Sequence, residues 1–483
     1  MIFKIYLVCL LFSFVCSISK HPILIVVSYD AFRYNYFDTK MVPNMEKLRK
    51  AGTYSDYLIN VFPTKTFPNH HSIATGLYPD IHGVIGNTYY DPKVKSIKGM
   101  SYEMYHYDDH VIPIWRWNED MEDGRYSASM MWPGAAYDFQ NKNITHVKSY
   151  DPNYDWFKRI DDVINWIKHP TEPANLVMVY FEEPDTHGHA FGPNSKVVLD
   201  LLQKLDNVTK YLDDQLKKNN LDDHVNVIHL SDHGMIAVTP PKFINITQYL
   251  TNGTYQYAGA SPCIQIIPKE GHKDEIYDKL KKASIKNKHF TVYKKEEFFE
   301  RWHYSNDRAP EILIMAEEGY ALEDLIVAAP IYAHKYNFTL TNSSEFGVHG
   351  YDYTMKDMHP FFMARGPKIK KHHKVAPFNT VDLFDLFCEI LDITPTHNNG
   401  TLANILDILS NNKNGKYSIA SILVITVGGV VVTIILVSLA AIVTLILIKR
   451  QQNITTAAAL NKRFPQTFQS NIEAQHLLEP EDA

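Results

Sequence analysis

The stretch Leu176-Val-Met-Val-Tyr-Phe181 is an unbroken apolar run that leads directly into Glu182-Glu-Pro-Asp185. Two more runs of the same kind, 23–27 and 225–230, also lead into acidic residues or histidine. Continuous runs of Val, Ile and Leu are typical of central strands that are covered on both faces. Because amphipathic helical stretches such as 156–167 lie between the runs, the sequence predicts an α/β fold, with helices on both faces of a mainly parallel sheet.

Acidic residues and histidines gather where these runs end. Asp30 follows the first run, Asp185-x-x-x-His189 follows the second, and Asp232-His233 follows the third. In α/β folds, sites lie beyond the carboxyl ends of the strands, so we expect these side chains to lie close together. Carboxylate and imidazole without cysteine form the ligand set of a catalytic Zn²⁺ or a similar transition ion. Each piece alone is more often a capping or hydrogen-bonding group, but the three together favour a metal centre.

The segment Pro63-Thr-Lys65-Thr66-Phe67-Pro68 points to a reactive hydroxyl. Pro68 disfavours helical backbone at Phe67, so we expect a helical turn to begin near Ser72. A hydroxyl just before a helix N-terminus meets backbone N–H groups and a dipole that favours anions. Thr66, beside Lys65, is therefore a candidate nucleophile facing phosphate, and the alternative is that it only caps the helix.

The two ends of the chain differ from the middle. Residues 1–19 have an apolar core followed by small residues, which is the pattern of a signal peptide. The segment 418–448 is apolar, has no charged residue and is long enough for a transmembrane helix. Lys449 and Arg450 stop this segment and predict that the tail, 449–483, is cytoplasmic.

Between these ends we expect an extracellular catalytic domain, 20–397, and a juxtamembrane stalk, 398–417. The arrangement is that of a single-pass type I protein of the plasma membrane. Seven sequons agree with passage through the secretory pathway. They are Asn143, Asn207, Asn245, Asn252, Asn337, Asn342 and Asn399. Signal cleavage leaves Cys263 and Cys388, which either form a disulfide or stay as free buried thiols.

Composition excludes several classes of protein. The chain has 48 Lys and Arg against 54 Asp and Glu, a net charge of −6, which argues against nucleic acid as a partner. With 45% hydrophobic and 21% charged residues, it is not broadly disordered. Four cysteines in 483 residues exclude a scaffold held together by disulfides.

Six motif segments occur in order along the chain. They are Ser28-Tyr-Asp-Ala-Phe-Arg33, Pro63-Thr-Lys-Thr-Phe-Pro-Asn69, Ala74-Thr-Gly-Leu-Tyr-Pro79 with His82-Gly-Val-Ile-Gly-Asn87, Glu182-Glu-Pro-Asp-Thr-His-Gly-His189, Ser231-Asp-His-Gly-Met235 and Gly347-Val-His-Gly-Tyr351. Over residues 23 to about 395 they resemble the ectonucleotide pyrophosphatase/phosphodiesterase family of the alkaline phosphatase superfamily, and the chain is similar to its short type I members, numbers four and five. Ala31 departs from the family, which usually has Gly there.

The resemblance implies a pair of zinc ions as cofactors. The residues implied around one zinc are Asp30, Thr66, Asp232 and His233, and those that hold the other are Asp185, His189 and His349, with Asp232 near both. His349 is selected only by its Gly-x-His-Gly-Tyr context, and from the residues alone His334, His359 and His372 remain comparable.

The resemblance also implies a nucleotide site. It places Asn87 on a phosphate oxygen, and it places Phe67 and Tyr150 around the base. Lys65, next to the nucleophile, is a further candidate for substrate binding. The implied reaction is hydrolysis of nucleotides or dinucleotides to nucleoside 5′-monophosphates through a covalent threonyl intermediate.

Three other functions remain open from the sequence. They are a choline- or lysophospholipid-directed phosphodiesterase of the same family, a phosphomonoesterase of the wider superfamily, and a cell-surface binding protein with a weak catalytic site. The preferred substrate and the oligomeric state stay undetermined.

Overall fold

A computed structural model describes residues 18–410, together with Ser438, Thr444, Leu445, Ile448 and Lys449. The chain divides into two units, Met1–Asn411 and Asn412–Ala483, and the strands and helices named below belong to the first. The predicted signal peptide, membrane span and cytoplasmic tail fall almost wholly outside the described residues and stay predictions. In the part of the chain that is described, no helix has the length and apolar character needed to cross a bilayer.

The described residues alternate between strands and helices along the chain. The strands are β1 (Ile23–Tyr29), β2 (Thr53–Ser55), β3 (Leu58–Ile59), β4 (Tyr89–Asp91), β5 (Ser96–Lys98), β6 (Ser127–Met130), β7 (His146–Lys148), β8 (Leu176–Phe181), β9 (Val225–Leu230), β10 (Ile236–Val238), β11 (Phe243–Ile244), β12 (Tyr255–Ala260), β13 (Cys263–Pro268), β14 (Phe290–Lys294), β15 (Ile312–Ala316), β16 (Ala321–Leu322), β17 (Phe346–Val348), β18 (Phe362–Arg365), β19 (His373–Val375) and β20 (Phe378–Asn379). The α-helices are α1 (Pro43–Ala51), α2 (Thr66–Thr75), α3 (Pro79–His82), α4 (Tyr102–Tyr105), α5 (Ile114–Glu119), α6 (Trp156–Ile167), α7 (Asp185–Phe191), α8 (Lys196–Lys218), α9 (Lys273–Asn287), α10 (Asp324–Lys335), α11 (Leu383–Leu391) and α12 (Leu402–Ile405).

The central feature is an eight-stranded sheet with the order β19-β2-β18-β9-β1-β8-β6-β7. Five of its seven strand pairs are parallel, and β18 runs antiparallel to both β9 and β2. The predicted mainly parallel sheet is therefore confirmed. The three apolar runs form its centre, because β1 lies between β8 and β9.

Helices cover both faces of this sheet, as the continuous apolar runs predict. Successive residues of β1 point to opposite faces. Leu24 and Val26 pack in a core with residues of α2, α5 and α11, whereas Ile25 and Val27 pack with residues of α6 and α8. The β1 strand is buried along its whole length, which explains why it carries no alternating polar residues.

A smaller antiparallel sheet, with the order β12-β13-β15-β14, lies after the central strands in the chain. Helix α9 packs against it around Ile264, Ile314 and Leu280. The turn between β12 and β13 and the start of β13 supply residues to a cavity of the candidate site, so this sheet has a direct bearing on function.

Helix α2 begins earlier than the sequence predicts. Thr66 is its first residue, and Phe67 is helical although Pro68 follows it. Pro68 lies in the first turn, where backbone N–H groups have no partner within the helix, so the proline removes no helical hydrogen bond. The expected start near Ser72 is wrong for this reason.

The predicted stalk also begins too early. Residues 398–410 are part of the folded unit, with α12 followed by a 3₁₀ turn, and Ile405 and Ile408 are fully buried. The Asn399 backbone N–H donates to the carbonyl oxygen of Gly76 at 2.8 Å. The apolar spacing of residues 402–408 outweighs the polar composition that predicted a stalk, and residues 411–417 lie outside the described part.

Cys263 and Cys388 are both free and buried, so the predicted disulfide alternative is wrong and the alternative of free thiols is confirmed. Cys263 begins β13 and Cys388 lies in α11, and each is packed among apolar side chains. Burial raises the pKa of the Cys263 thiol to about 12, which keeps it protonated and unreactive at neutral pH.

The seven sequon asparagines differ in exposure. Six are exposed, while Asn399 is half-buried and its Oδ1 accepts a hydrogen bond from the Tyr78 backbone N–H at 3.0 Å. Glycosylation of these residues stays a prediction.

Candidate active site

The sheet order brings three strand ends together. Because β1 lies between β8 and β9 and runs parallel to both, the residues that follow these strands meet at one edge of the sheet. Asp30 follows β1, and Asp232 and His233 follow β9. Asp185 follows β8 and begins α7, whose helical spacing places His189 on the same face one turn later.

One group of ligand atoms surrounds His233. Its Nε2 lies 3.1 Å from Oδ2 of Asp232, 3.4 Å from Oδ1 of Asp30 and 3.3 Å from Oγ1 of Thr66. His233 and Asp232 are fully buried, and Asp30 is almost so. The four residues that the resemblance assigned to one metal therefore lie together.

A second group surrounds Asp185. Nε2 of His189 lies 3.4 Å from one carboxylate oxygen of Asp185, and Nε2 of His349 lies 3.5 Å from the other. His349 directly follows β17, which pairs with β10 and so returns to the site just after Asp232 and His233. Of the histidines left open by spacing, His349 is the one that belongs, among the described residues, to a group that could hold a metal ion.

Hydrogen bonds to backbone carbonyls fix the orientation of all three histidines. Nδ1 of His189 donates to Gly347, Nδ1 of His233 to Gly234, and Nδ1 of His349 to Thr64, at 2.8–2.9 Å. Since a carbonyl oxygen only accepts, Nδ1 carries the proton in each ring. Nε2 is then left with a lone pair that faces the carboxylates, which is the arrangement of a metal ligand.

The carboxylates have unsatisfied oxygens where a cation would lie. Buried Oδ1 of Asp30, Oδ1 of Asp185 and Oδ2 of Asp232 accept no hydrogen bond from the described residues. Burial, and then the negative charges of Asp232 and Asp185, hold the pKa of Asp30 well above its usual range. Three buried carboxylate oxygens without hydrogen-bond partners are costly, so the arrangement fits bound divalent cations.

Thr66 occupies the N-terminus of α2, between the metal-ligating groups and Asn87. The amide of Asn87 donates from Nδ2 to Oγ1 of Thr66 at 3.4 Å, and its Oδ1 accepts from the Phe67 backbone N–H at 2.9 Å. This second bond fixes which end of the amide faces the hydroxyl. A side-chain donor is therefore held beside the Thr66 hydroxyl at the start of the helix.

Two cavities open on this centre, and Asn87 lines both. The first, of about 420 Å³, also contacts Thr66 and Asp30 and has aromatic walls. The aromatic residues are Phe67, Trp132, Tyr137, Tyr150 and Tyr180. Phe67 and Tyr150 thus line one cavity, as the resemblance implies, and Tyr150 is about half exposed.

The second cavity, of about 360 Å³, borders His189 and His349. Lys65 lines this cavity, and its Nζ donates to the carbonyl oxygen of Ser261 at 2.7 Å. Burial lowers the pKa of Lys65 to about 8. Asp324 and Gln265 also line this cavity, among apolar residues such as Leu325 and Tyr332.

Comparisons with known proteins agree with this geometry. The family model described as type I phosphodiesterase / nucleotide pyrophosphatase matches residues 24–352. The chain belongs to this family. Among its relatives, the bis(5′-adenosyl)-triphosphatase enpp4 of Xenopus laevis is 34% identical over 416 residues, which cover 86% of this chain and 87% of that protein. Ectonucleotide pyrophosphatase/phosphodiesterase family member 5 of Homo sapiens is 35% identical over 80% of this chain and 78% of that protein.

Solved structures of relatives share the fold of this phosphodiesterase. An inactive variant of murine ectonucleotide pyrophosphatase/phosphodiesterase 5, in complex with AMP, has a TM-score of 0.72 and 34% sequence identity over 81% of this chain and 100% of that one. The human protein of the same name has a TM-score of 0.71 at the same identity. The predicted alkaline-phosphatase-like α/β fold is confirmed for the described part.

Three aromatic residues of the phosphodiesterase site were not predicted from the sequence. Trp132 and Tyr137 follow β6, in a segment without a recognisable motif, and Tyr180 lies inside an apolar strand. In a chain with 30 tyrosines, no local signal separates these residues from core positions.

Ala31 of this phosphodiesterase adopts a left-handed backbone conformation, with φ of 57°. Its backbone N–H donates to Oδ1 of Asp232 at 3.2 Å, so the turn after Asp30 is tied to a ligand of the centre. The left-handed conformation costs a residue with a side chain roughly 1–2 kcal/mol, which explains the glycine usual in the family.

We expect Ala31→Gly to raise the free energy of unfolding by about 0.5–1 kcal/mol, since relief of the strained backbone exceeds the entropy that glycine adds to the unfolded chain. Denaturant unfolding of the two proteins measures the difference. Ala128→Gly in strand β6, where the backbone is extended, is the matched control and should lower stability instead. If both variants lose the same free energy of unfolding, the conformation of Ala31 is not strained.

Proposed function

We propose that this chain is a di-zinc nucleotide pyrophosphatase/phosphodiesterase in which Thr66 is the nucleophile. Its substrates are nucleotides or dinucleotides, and its product is a nucleoside 5′-monophosphate. The observation that carries the proposal is the position of the Thr66 hydroxyl, 3.3 Å from Nε2 of His233 and 3.4 Å from Nδ2 of Asn87 at a helix N-terminus.

The spacing of the ligand atoms fits zinc. Atoms bound tetrahedrally to one Zn²⁺ at about 2.0 Å lie roughly 3.3 Å from one another. The distances from Nε2 of His233 to Asp232, Asp30 and Thr66 are 3.1, 3.4 and 3.3 Å. Asp185, His189 and His349 would hold the second ion. Two such ions supply Lewis acidity for a phosphoryl displacement and favour the deprotonated form of a coordinated hydroxyl.

The reaction proceeds in two successive displacements at phosphorus. Oγ1 of Thr66 loses its proton and attacks phosphorus, the bond from phosphorus to the leaving oxygen breaks, that oxygen takes up a proton, and a threonyl-nucleotide ester forms. Water then attacks the same phosphorus, the bond to Oγ1 breaks, and the monophosphate leaves as Thr66 regains its proton. The Nδ2 group of Asn87 donates to a phosphate oxygen on which charge develops, as in an oxyanion hole.

The two cavities suit the two halves of such a substrate. The aromatic cavity contains Phe67 and Tyr150, whose rings can stack on a base, and it adjoins the nucleophile. The second cavity borders His189 and His349 and shares Asn87 with the first, so the leaving half would lie there beside Lys65. The names of the relatives, bis(5′-adenosyl)-triphosphatases, and the AMP complex support nucleotides as the substrate class.

Hydrolysis of the p-nitrophenyl ester of thymidine 5′-monophosphate by the purified full-length protein tests the function. We expect activity that EDTA removes and zinc restores. A preference for p-nitrophenylphosphocholine would support the lipid-directed alternative. A protein that carries two zinc ions per chain and hydrolyses neither ester would support the binding-protein alternative.

We expect Phe67→Ala to raise KM for nucleotide esters by about 10-fold or more, because stacking on a base contributes about 1–3 kcal/mol. Tyr150→Ala should have a smaller effect, since that ring is about half exposed. The matched substrate is methyl p-nitrophenyl phosphate, which has no base and, apart from its leaving group, no ring that could stack. Its KM should stay unchanged in both variants, and a comparable rise for this substrate would contradict base stacking.

We further propose that the catalytic unit is extracellular and anchored by one C-terminal span, as a type I plasma-membrane protein. The apolar segment 418–448 and the basic residues after it support this topology, and six exposed sequons support passage through the secretory pathway. Treatment of intact cells with a glycosidase and a protease tests it, because only an extracellular unit would lose mass.

A further inference from the structure

His70 lies one turn after Thr66 in α2 and is fully buried. Its Nδ1 is 2.8 Å from the carbonyl oxygen of Thr66 and 3.3 Å from Oδ2 of Asp232. Its Nε2 is 2.9 Å from Oγ of Ser28. Since the carbonyl oxygen only accepts, Nδ1 carries the proton and Nε2 accepts from the serine hydroxyl. The N–H group therefore donates to the carbonyl of the nucleophilic residue, and the same ring nitrogen lies against a metal-ligating carboxylate without a hydrogen bond to it.

The two groups that His70 joins come from distant parts of the chain. Thr66 begins α2, and Asp232 follows β9. The other oxygen of Asp232, Oδ1, is held by the Ala31 backbone N–H and by Oγ of Ser231, each at 3.2 Å. Oδ2 faces His70 and His233, so the contact with His70 completes the orientation of this carboxylate.

Aromatic packing prevents the His70 ring from turning. Trp132 and Tyr180 stand edge-on to it, with ring centroids at 4.9 and 5.2 Å. The Tyr180 hydroxyl donates to Oδ2 of Asp30 at 2.6 Å, which leaves Oδ1 of Asp30 directed toward His233. The same packing therefore supports a second ligand, and Trp132 and Tyr180 also line the aromatic cavity.

We propose that His70 is a positioning residue that sets the separation between the Thr66 hydroxyl and the Asp232 carboxylate. It does not line either cavity, and it acts through its hydrogen bond to the carbonyl of Thr66 and its contact with Oδ2 of Asp232. The role in turnover rests on the proposed function, whereas the role in metal affinity rests on the geometry alone.

The neighbouring His71 is a matched control inside the same helix. It is equally buried, but neither ring nitrogen has a hydrogen-bond partner among the described residues, and it packs edge-on against His82 and Tyr105. A change at His71 alters ring packing in α2 without removing a link between Thr66 and Asp232.

The experiment compares Phe and Asn at both positions in the full-length zinc-loaded protein. Phenylalanine keeps a ring and removes the N–H, whereas the Asn amide offers an N–H close to the place of Nδ1. We expect His70→Phe to lower kcat for the thymidine ester about 10–100-fold with KM within about threefold, and to lower zinc affinity in chelator competition about 10–100-fold. His70→Asn should recover most of both losses, and the two His71 variants should stay within about threefold of wild type.

Two results would overturn the proposal. One is a folded His70→Phe protein with wild-type kcat and zinc affinity, and the other is a His70→Asn protein no better than His70→Phe. If His70→Phe does not fold, His70→Gln replaces it. The Gln amide reaches toward Ser28 rather than Thr66, so the proposal then requires His70→Gln to have a lower kcat and a lower zinc affinity than His70→Asn. If wild-type protein proves inert, the proposed function is wrong, and zinc affinity still decides the positioning role.

Discussion

Replacing Thr66 with alanine should lower kcat for nucleotide esters by at least about 10³-fold, because the hydroxyl that forms the bond to phosphorus is absent. Rapid-quench kinetics with a radiolabelled nucleotide measures the loss, and the labelled threonyl ester seen in wild type should not appear. The fold should persist, since Oγ1 of Thr66 makes only the contacts to His233 and Asn87 within the described residues.

The matched control for this change is Thr66→Ser, which keeps a hydroxyl at the N-terminus of α2 and should stay within about 10-fold of wild type. Calorimetry should show AMP binding to the alanine variant, because the walls of both cavities are unchanged. An alanine variant that still forms a labelled protein ester would show that another residue is the nucleophile.

The second large effect is expected for Asp232→Asn. The amide oxygen can still accept from the Ala31 N–H and from Ser231, so the turn after β9 should be preserved. At the position of Oδ2, however, the amide places a neutral NH₂ group, which cannot bind a cation. We expect the protein to retain at most one zinc ion per chain after dialysis, with kcat lowered about 10³-fold.

Metal analysis and kinetics on the same preparation check this second expectation. Asp206→Asn is the control, because Asp206 is equally buried but accepts from Asn44 and the Met45 N–H at the start of α1. It should lower stability and leave the zinc content unchanged. Loss of zinc in both variants would indicate a general loss of structure. Full zinc content in Asp232→Asn would show that Asp232 is not a zinc ligand.

Much of the architecture was predictable because the central strands are buried on both faces. The boundaries 176–181, 225–230 and 156–167 agree with β8, β9 and α6. Parallel strands place the residues after them at one edge, so Asp30, Asp185 and Asp232 were expected to meet.

His349 illustrates what local sequence does not contain. It reaches the centre through the pairing of β17 with β10, a contact between segments about a hundred residues apart, and only the motif around it identified the residue. The stalk boundary and the free cysteines are similar cases, because burial of Ile405, Cys263 and Cys388 depends on distant partners. The strained backbone at Ala31 could not be predicted from the sequence either, because alanine does not indicate a left-handed conformation.

The order of the central sheet has a consequence for biosynthesis. Leu24 of β1 pairs with Leu176 on one side and with Asn226 on the other, so the first strand to be synthesised waits for partners about 150 and 200 residues downstream. Asn143 precedes β8 in the chain, and Asn207 precedes β9. Such long-range pairing is slow to form and leaves an apolar strand exposed in the meantime. Asn143 is therefore synthesised before either neighbour of β1, and Asn207 before the second one, so the hydroxyl of Thr209 becomes enclosed with Tyr29 only when the β1 to β9 pairing closes the fold.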